Sequence, residues 1–168
     1  MDVRTVQKPF KDQYRADAKS AMITIHAEAS NKDTPIACSV DIGRAVLAAE
    51  AHTGVGGAGG AACSGDLLLG ALAACAQITC QMVAAAMQIE TKSIRVTVDG
   101  DLDLRGTLGI AQDAPVGFSD IRLNFDVDAP MASPEQLQML FEKTEKYCVV
   151  LQTLRQAPAI TASLSGNG

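Results

Sequence analysis

Clustered Lys and Arg are missing from this 168-residue chain, whose 14 basic residues are outnumbered by 19 acids for a formal charge of -5. Binding a polyanion requires such clusters to neutralise phosphates, so nucleic acid is not an expected partner. Residues 1 to 20 hold no apolar run and are studded with Arg4, Lys8, Lys11, Asp12, Arg15 and Asp17. No secretory signal is expected there, and the cytoplasm is the expected compartment. The longest apolar stretch, up to about Met87, is preceded by Asp66 and interrupted by Gln77, Thr79 and Gln81, which argues against a membrane span.

Two motifs are incomplete. Gly54, Gly56 and Gly59 satisfy G-x-G-x-x-G, but no clear strand pattern precedes them and no Lys-Ser/Thr follows, so a permissive loop beside a helix end is expected rather than a nucleotide site. Asp99, Asp101 and Asp103 stand at the spacing of a calcium loop. Leu104 occupies the place of its turn glycine and Ile110 that of its bidentate Glu, so no metal is expected and solvated strand edges account for the acids.

What is present suffices for one core. With 48% hydrophobic residues the chain is read as an N-terminal arm over 1–20 and a single domain over 21–168. Alternation of Ile23, Ile25 and Ala27 with polar neighbours predicts a strand, the Asn31–Pro35 segment a turn, and Ile36 to Ile42 a second strand pairing with the first as a hairpin. Arg44 to His52 fits a strand or a short helix. Ser64 and Asp66 open a long helix that is apolar nearly all round and needs cover on most sides. Two further alternating strands are expected over 94–99 and 121–128. Ser133-Pro134-Glu135-Gln136 opens another helix with a cap, an N1 proline and a capping-box Gln. Its stripe of Leu137, Leu140, Phe141 and Thr144 reaches Cys148 and Leu151 if the period persists, and Ala159 to Leu164 supply a last strand. The fold class is α+β.

The five cysteines are odd in number and irregular in spacing, so thiols rather than a disulfide framework are expected. Steps of three or four from Leu68 give Leu72, Cys75, Thr79 and Met82, placing Cys75 on one stripe of the long helix. Cys80, about 140° around the same helix, cannot share a disulfide with it. One Cys thus lies on the inward stripe of each of two helices. Buried packing and thiol chemistry are both open to such a pair. Cys63, at a helix entrance where the dipole favours a thiolate, is an alternative second thiol, and His52, which precedes the glycine loop, is a residue that could approach the site.

The run Gly59-Gly60-Ala61-Ala62-Cys63-Ser64-Gly65-Asp66-Leu67-Leu68-Leu69-Gly70-Ala71-Leu72-Ala73-Ala74-Cys75 resembles the glycine-rich loop and cysteine helix of the OsmC/Ohr family of thiol peroxidases. Glu145-Lys146-Tyr147-Cys148-Val149-Val150 resembles that family's second cysteine segment, and the order of elements fits over nearly all of residues 20 to 165. The resemblance implies an OsmC-like fold, an antiparallel sheet wrapped around a long central helix in an intertwined homodimer with sites at the subunit interface. It implies a cofactor-free, metal-free peroxidase for organic hydroperoxides, in which Cys75 matches the attacking thiol and Cys148 the resolving one. Leu68, Leu72, Met82 and Phe141 would line the pocket for the alkyl tail. A lipoylated protein or other external dithiol would return the enzyme to its reduced form. Gly65 stands where one branch of the family has a Glu that holds a thiolate-stabilising Arg. Asp66 matches the acid of a related branch, Arg44 or Arg15 is the candidate arginine, and Val149 replaces a usual proline. A non-catalytic protein binding small molecules or acyl chains in an apolar interface pocket is the alternative.

Overall fold

A computed structural model describes residues 3–31, 38–41, 51–60, 62–164 and 166. The turn expected after Asn31 and most of the Arg44–His52 segment, Arg44 included, lie outside the described residues. Helix α1 (Val3–Ala16) leads into β1 (Met22–Asn31) and β2 (Cys38–Asp41). The long helix α2 (Ser64–Ala86) follows, then β3 (Ser93–Asp103), the single turn α3 (Leu104–Thr107) and β4 (Phe118–Asp128). Helices α4 (Pro134–Tyr147) and α5 (Val149–Arg155) complete the order.

Among the described residues the strands form one antiparallel sheet in the order β2-β1-β3-β4. The architecture is α+β, and the hairpin is as expected, with Asn31 opposite Cys38. Strand β3 runs down the middle, pairing Ile23 with its Leu102 on one side and Leu123 with its Val98 on the other. Its alternation turns Ile94, Val96 and Val98 into the core, where they are at most 1% exposed. Val96 and Val98 meet Leu69, Leu72, Ala73 and Ala76 of α2, and Cys148 and Leu151 close the same cluster, while Ile94 packs with Cys80, Ala84 and Leu140. Helix α2 has the length and apolarity to cross a membrane, but half of that stretch is buried within the domain.

Four local expectations are corrected. Residues 3–16 form a helix rather than an aperiodic arm: Phe10 and Tyr14, one turn apart, pack with Leu104 and Leu108, while Lys8 and Arg15 pair with Asp12 on the wet face. The Tyr14 hydroxyl donates to the Gly54 carbonyl at 2.5 Å, which ties α1 to the glycine loop. That loop needs its glycine at 57, where a Cβ would stand 1.6 Å from the Ala51 carbonyl oxygen. Asp103 is not solvated: it is 4% exposed and accepts from the Arg105 backbone N–H and guanidinium, capping α3. Residues 159–164 form no strand, because Ile160 and Leu164 are 87% and 98% exposed and no buried contact offsets the entropy of ordering them.

The fourth concerns Cys148. The apolar stripe of α4 does continue to Leu151, but the backbone leaves helical geometry at Cys148, with ψ 105°, so that two helices replace one. Cys148 ends α4 by donating its N–H to the Thr144 carbonyl at 2.9 Å. It starts α5 by accepting the Gln152 N–H at 2.9 Å. At the other end of α4 the expected capping box is complete, Ser133 and Gln136 each accepting the other's backbone N–H.

Candidate thiol site

Helix α2 presents Cys75 half-buried at the edge of the core cluster, and the elbow between α4 and α5 delivers Cys148, fully buried, to the same place. The two thiols meet. Cys148 is pushed up to about pKa 11, first by burial and then by its hydrogen bond to Cys75 and the repulsion of a second negative sulfur. The backbone N–H groups of Leu151 and Val150 in the first turn of α5 offset only part of this. Cys148 therefore stays protonated at neutral pH. Both cysteines are free thiols, so the arrangement is a reduced dithiol.

A cavity of about 440 Å³ is walled in part by Leu72, one turn before Cys75, and Leu151, one turn after Cys148, although neither cysteine is among the residues that line it. Phe125 and Phe141, stacked edge to face, extend the apolar wall, and Glu145 and Arg155 form its polar edge. Of the expected lining residues, Leu72 and Phe141 are thus brought together here. Leu68 instead faces a second cavity of about 690 Å³ at the start of α2, with His52, Cys63, Leu102 and Phe118. Met82 stands 51% exposed on the outer side of α2.

The helix start has its own chemistry. Cys63, not Ser64, is the N-cap, and the Asp66 carboxylate accepts the Cys63 N–H at 2.7 Å. Asp66 is engaged as a capping-box acid. The Cys63 thiol, expected to be favoured as a thiolate by the helix dipole, is shifted the other way: burial raises its pKa, and the Asp66 backbone N–H only partly opposes this. Twelve residues of helix separate Cys63 from Cys75, about 18 Å at 1.5 Å per residue, so Cys63 is out of reach of it. His52 accepts the Gly54 N–H at 3.0 Å through Nδ1 and braces the glycine loop. Arg15 is exposed and pairs with Asp12 at 3.1 Å.

Sequence reasoning missed three residues near the site. Glu145 accepts from Gln152 Nε2 through its backbone carbonyl at 2.8 Å and from Arg155 Nη2 through its carboxylate at 2.5 Å. Both bonds span the elbow at Cys148, and the partners lie seven and ten residues from Glu145, spacings that an unbroken helix would not have suggested.

The family model described as OsmC-like protein matches residues 57–163, the span that carries both thiols. The chain belongs to the OsmC-like family. No curated protein matches the sequence. Within this OsmC-like chain the matched span begins in the glycine loop and ends after α5, so α1 and the β1–β2 hairpin lie before it.

Proposed function

We propose that this OsmC-like protein is a cysteine-based peroxidase that reduces organic hydroperoxides, in a cytoplasmic, reducing compartment. The observation that carries the reading is the contact between the Cys75 and Cys148 thiols. The Cys75 thiolate attacks the outer oxygen of the hydroperoxide, the O–O bond breaks, and the alkoxide leaves with a proton as the alcohol. Cys75 is then a sulfenic acid. The Cys148 sulfur attacks that sulfur, an S–S bond forms, and the hydroxyl departs as water with the Cys148 proton. An external dithiol, lipoylated or otherwise, reduces the disulfide and itself becomes a disulfide, returning two protons to the pair. Leu72 and Phe141 receive the alkyl tail in the cavity that they line. The chemistry needs no metal or organic cofactor.

The protein acts as a homodimer. Ser64, Leu68, Ala71, Cys75, Ile78, Met82 and Ala85 follow one another at alternating steps of four and three, and each is exposed or half-buried. That is the seam spacing of two packed helices, and it runs through Cys75. A second copy would cover Leu68 and Met82, which are 38% and 51% exposed on an otherwise apolar face. Sedimentation at twice the 17.5 kDa chain mass is expected, and a monomer at micromolar concentration would sink this part.

A different reading, binding of an acyl chain without turnover, draws on the larger apolar cavity at the start of α2. One experiment separates the two. The reduced protein is treated with one equivalent of cumene hydroperoxide and its thiols are mapped by mass spectrometry. A Cys75–Cys148 disulfide, absent in Cys75→Ser, is the expected result. Free thiols with unconsumed peroxide would favour the binding protein instead.

A further inference from the structure

Cys148 sits at a break between helices, so nothing within a single helix fixes the direction in which its thiol points. The break is bracketed from one residue. Glu145, three positions before Cys148, holds α5 twice: its backbone carbonyl accepts from Gln152 Nε2 at 2.8 Å and its carboxylate from Arg155 Nη2 at 2.5 Å. These bonds join the last turn of α4 to the second turn of α5 on either side of the elbow. The Cys148 side chain makes no capping hydrogen bond to the first turn of α5.

A disulfide accepts hydrogen bonds poorly, and its geometry is narrow, with an S–S length near 2.05 Å and a torsion near ±90°. When Cys148 attacks a sulfenic acid on Cys75 its sulfur must therefore align with a new bond. The Glu145 bracket holds the elbow while that alignment is made. Resting on the peroxidase reading above, we infer that Glu145, Gln152 and Arg155 are positioning residues for the resolving step: they keep the α4–α5 elbow closed while Cys148 swings onto Cys75. They touch neither peroxide nor the reacting sulfurs in this role.

The test is a partition experiment on the full chain. Reduced protein receives one equivalent of hydrogen peroxide, which has no alkyl tail to meet the cavity, in the presence of dimedone. Intact-mass spectrometry then gives the ratio of dimedone-trapped Cys75 to Cys75–Cys148 disulfide. Arg155→Ala should raise this ratio about three- to fivefold, as suits an ion pair that is partly exposed. Arg155→Ala with Gln152→Ala should raise it about tenfold or more. Arg155→Lys, which keeps the charge, should restore most of the wild-type ratio. A purely structural bracket would lower the melting temperature and leave the ratio, measured well below melting, where it was. That result in both variants, with wild-type protein forming the disulfide, overturns the positioning role and leaves the peroxidase reading standing. Absence of the disulfide in wild-type protein with cumene hydroperoxide as well as with hydrogen peroxide overturns both.

Discussion

Cys63 and Cys148 occupy equivalent local positions, each the N-cap of a helix. Both are buried, and in both burial outweighs the helix end and raises the pKa. They differ in company. Cys63 faces the Asp66 carboxylate, which disfavours a second negative charge, and its nearest thiol along α2 is about 18 Å away. Cys148 faces the thiol of Cys75. A cysteine at a helix start is therefore not made reactive by the dipole alone; what distinguishes the working end of α2 is a second sulfur within reach.

The comparison breaks most visibly if the wrong cysteine matters. Cys148→Ser is expected to allow one turnover per chain and then stop, with Cys75 trapped as a sulfenic acid that dimedone labels. Cys63→Ser should turn over as the wild type does, and a comparable loss there would erase the distinction drawn between the two. Next in size is packing on the two sides of α2. Leu72, 1% exposed beside the thiol pair, should cost about 2–5 kcal/mol on truncation to alanine. Leu68, 38% exposed near Cys63, should cost clearly less in urea unfolding of dilute, monomeric protein.

Titration sharpens the contrast further. The Cys148 pKa lies above its ordinary value of 9.0, at about 11, so on raising the pH the unfolded chain loses this proton first. Stability from this group is complete below about pH 9 and is lost as pH rises toward 11. A Cys148→Ala variant should lack that part of the decline in a pH series of melting curves. The smallest effect belongs to Asp66. Removing its capping bond with Asp66→Ala should cost about 0.5–2 kcal/mol with the peroxide rate little changed. A large drop in rate would instead make Asp66 part of the thiol chemistry.

Much of this was legible beforehand where one local signal was decisive. The Ser133–Gln136 capping box, the alternation of Ile94, Val96 and Val98, and the two cysteine segments each pointed to what the fold contains. Signals that had to be ranked against one another read less well. A helix apolar all round does not reveal which side is core, so Leu72 and Met82 looked alike although one is 1% and the other 51% exposed. The stripe through Leu151 hid the elbow, since Cys148 breaks the backbone while keeping the side-chain period; only the β-branched pair Val149-Val150 hinted at weaker helix propensity. In α1 the charges masked the single Phe10–Tyr14 contact that docks it. The Glu145 bracket depended on the elbow and could not be read without it.

The hydroxyl of Tyr14 on the Gly54 carbonyl also gives the molecule a built-in optical address. The chain has no tryptophan and two tyrosines, so its intrinsic emission comes from two places. Tyr14, 4% exposed, reports on whether the first helix is seated on the glycine loop. Tyr147, 57% exposed with the Lys146 ammonium over its ring, is the residue immediately before Cys148. With Tyr14→Phe as background, emission follows the elbow alone, and whether peroxide closes the dithiol can be tested in real time without attaching a dye.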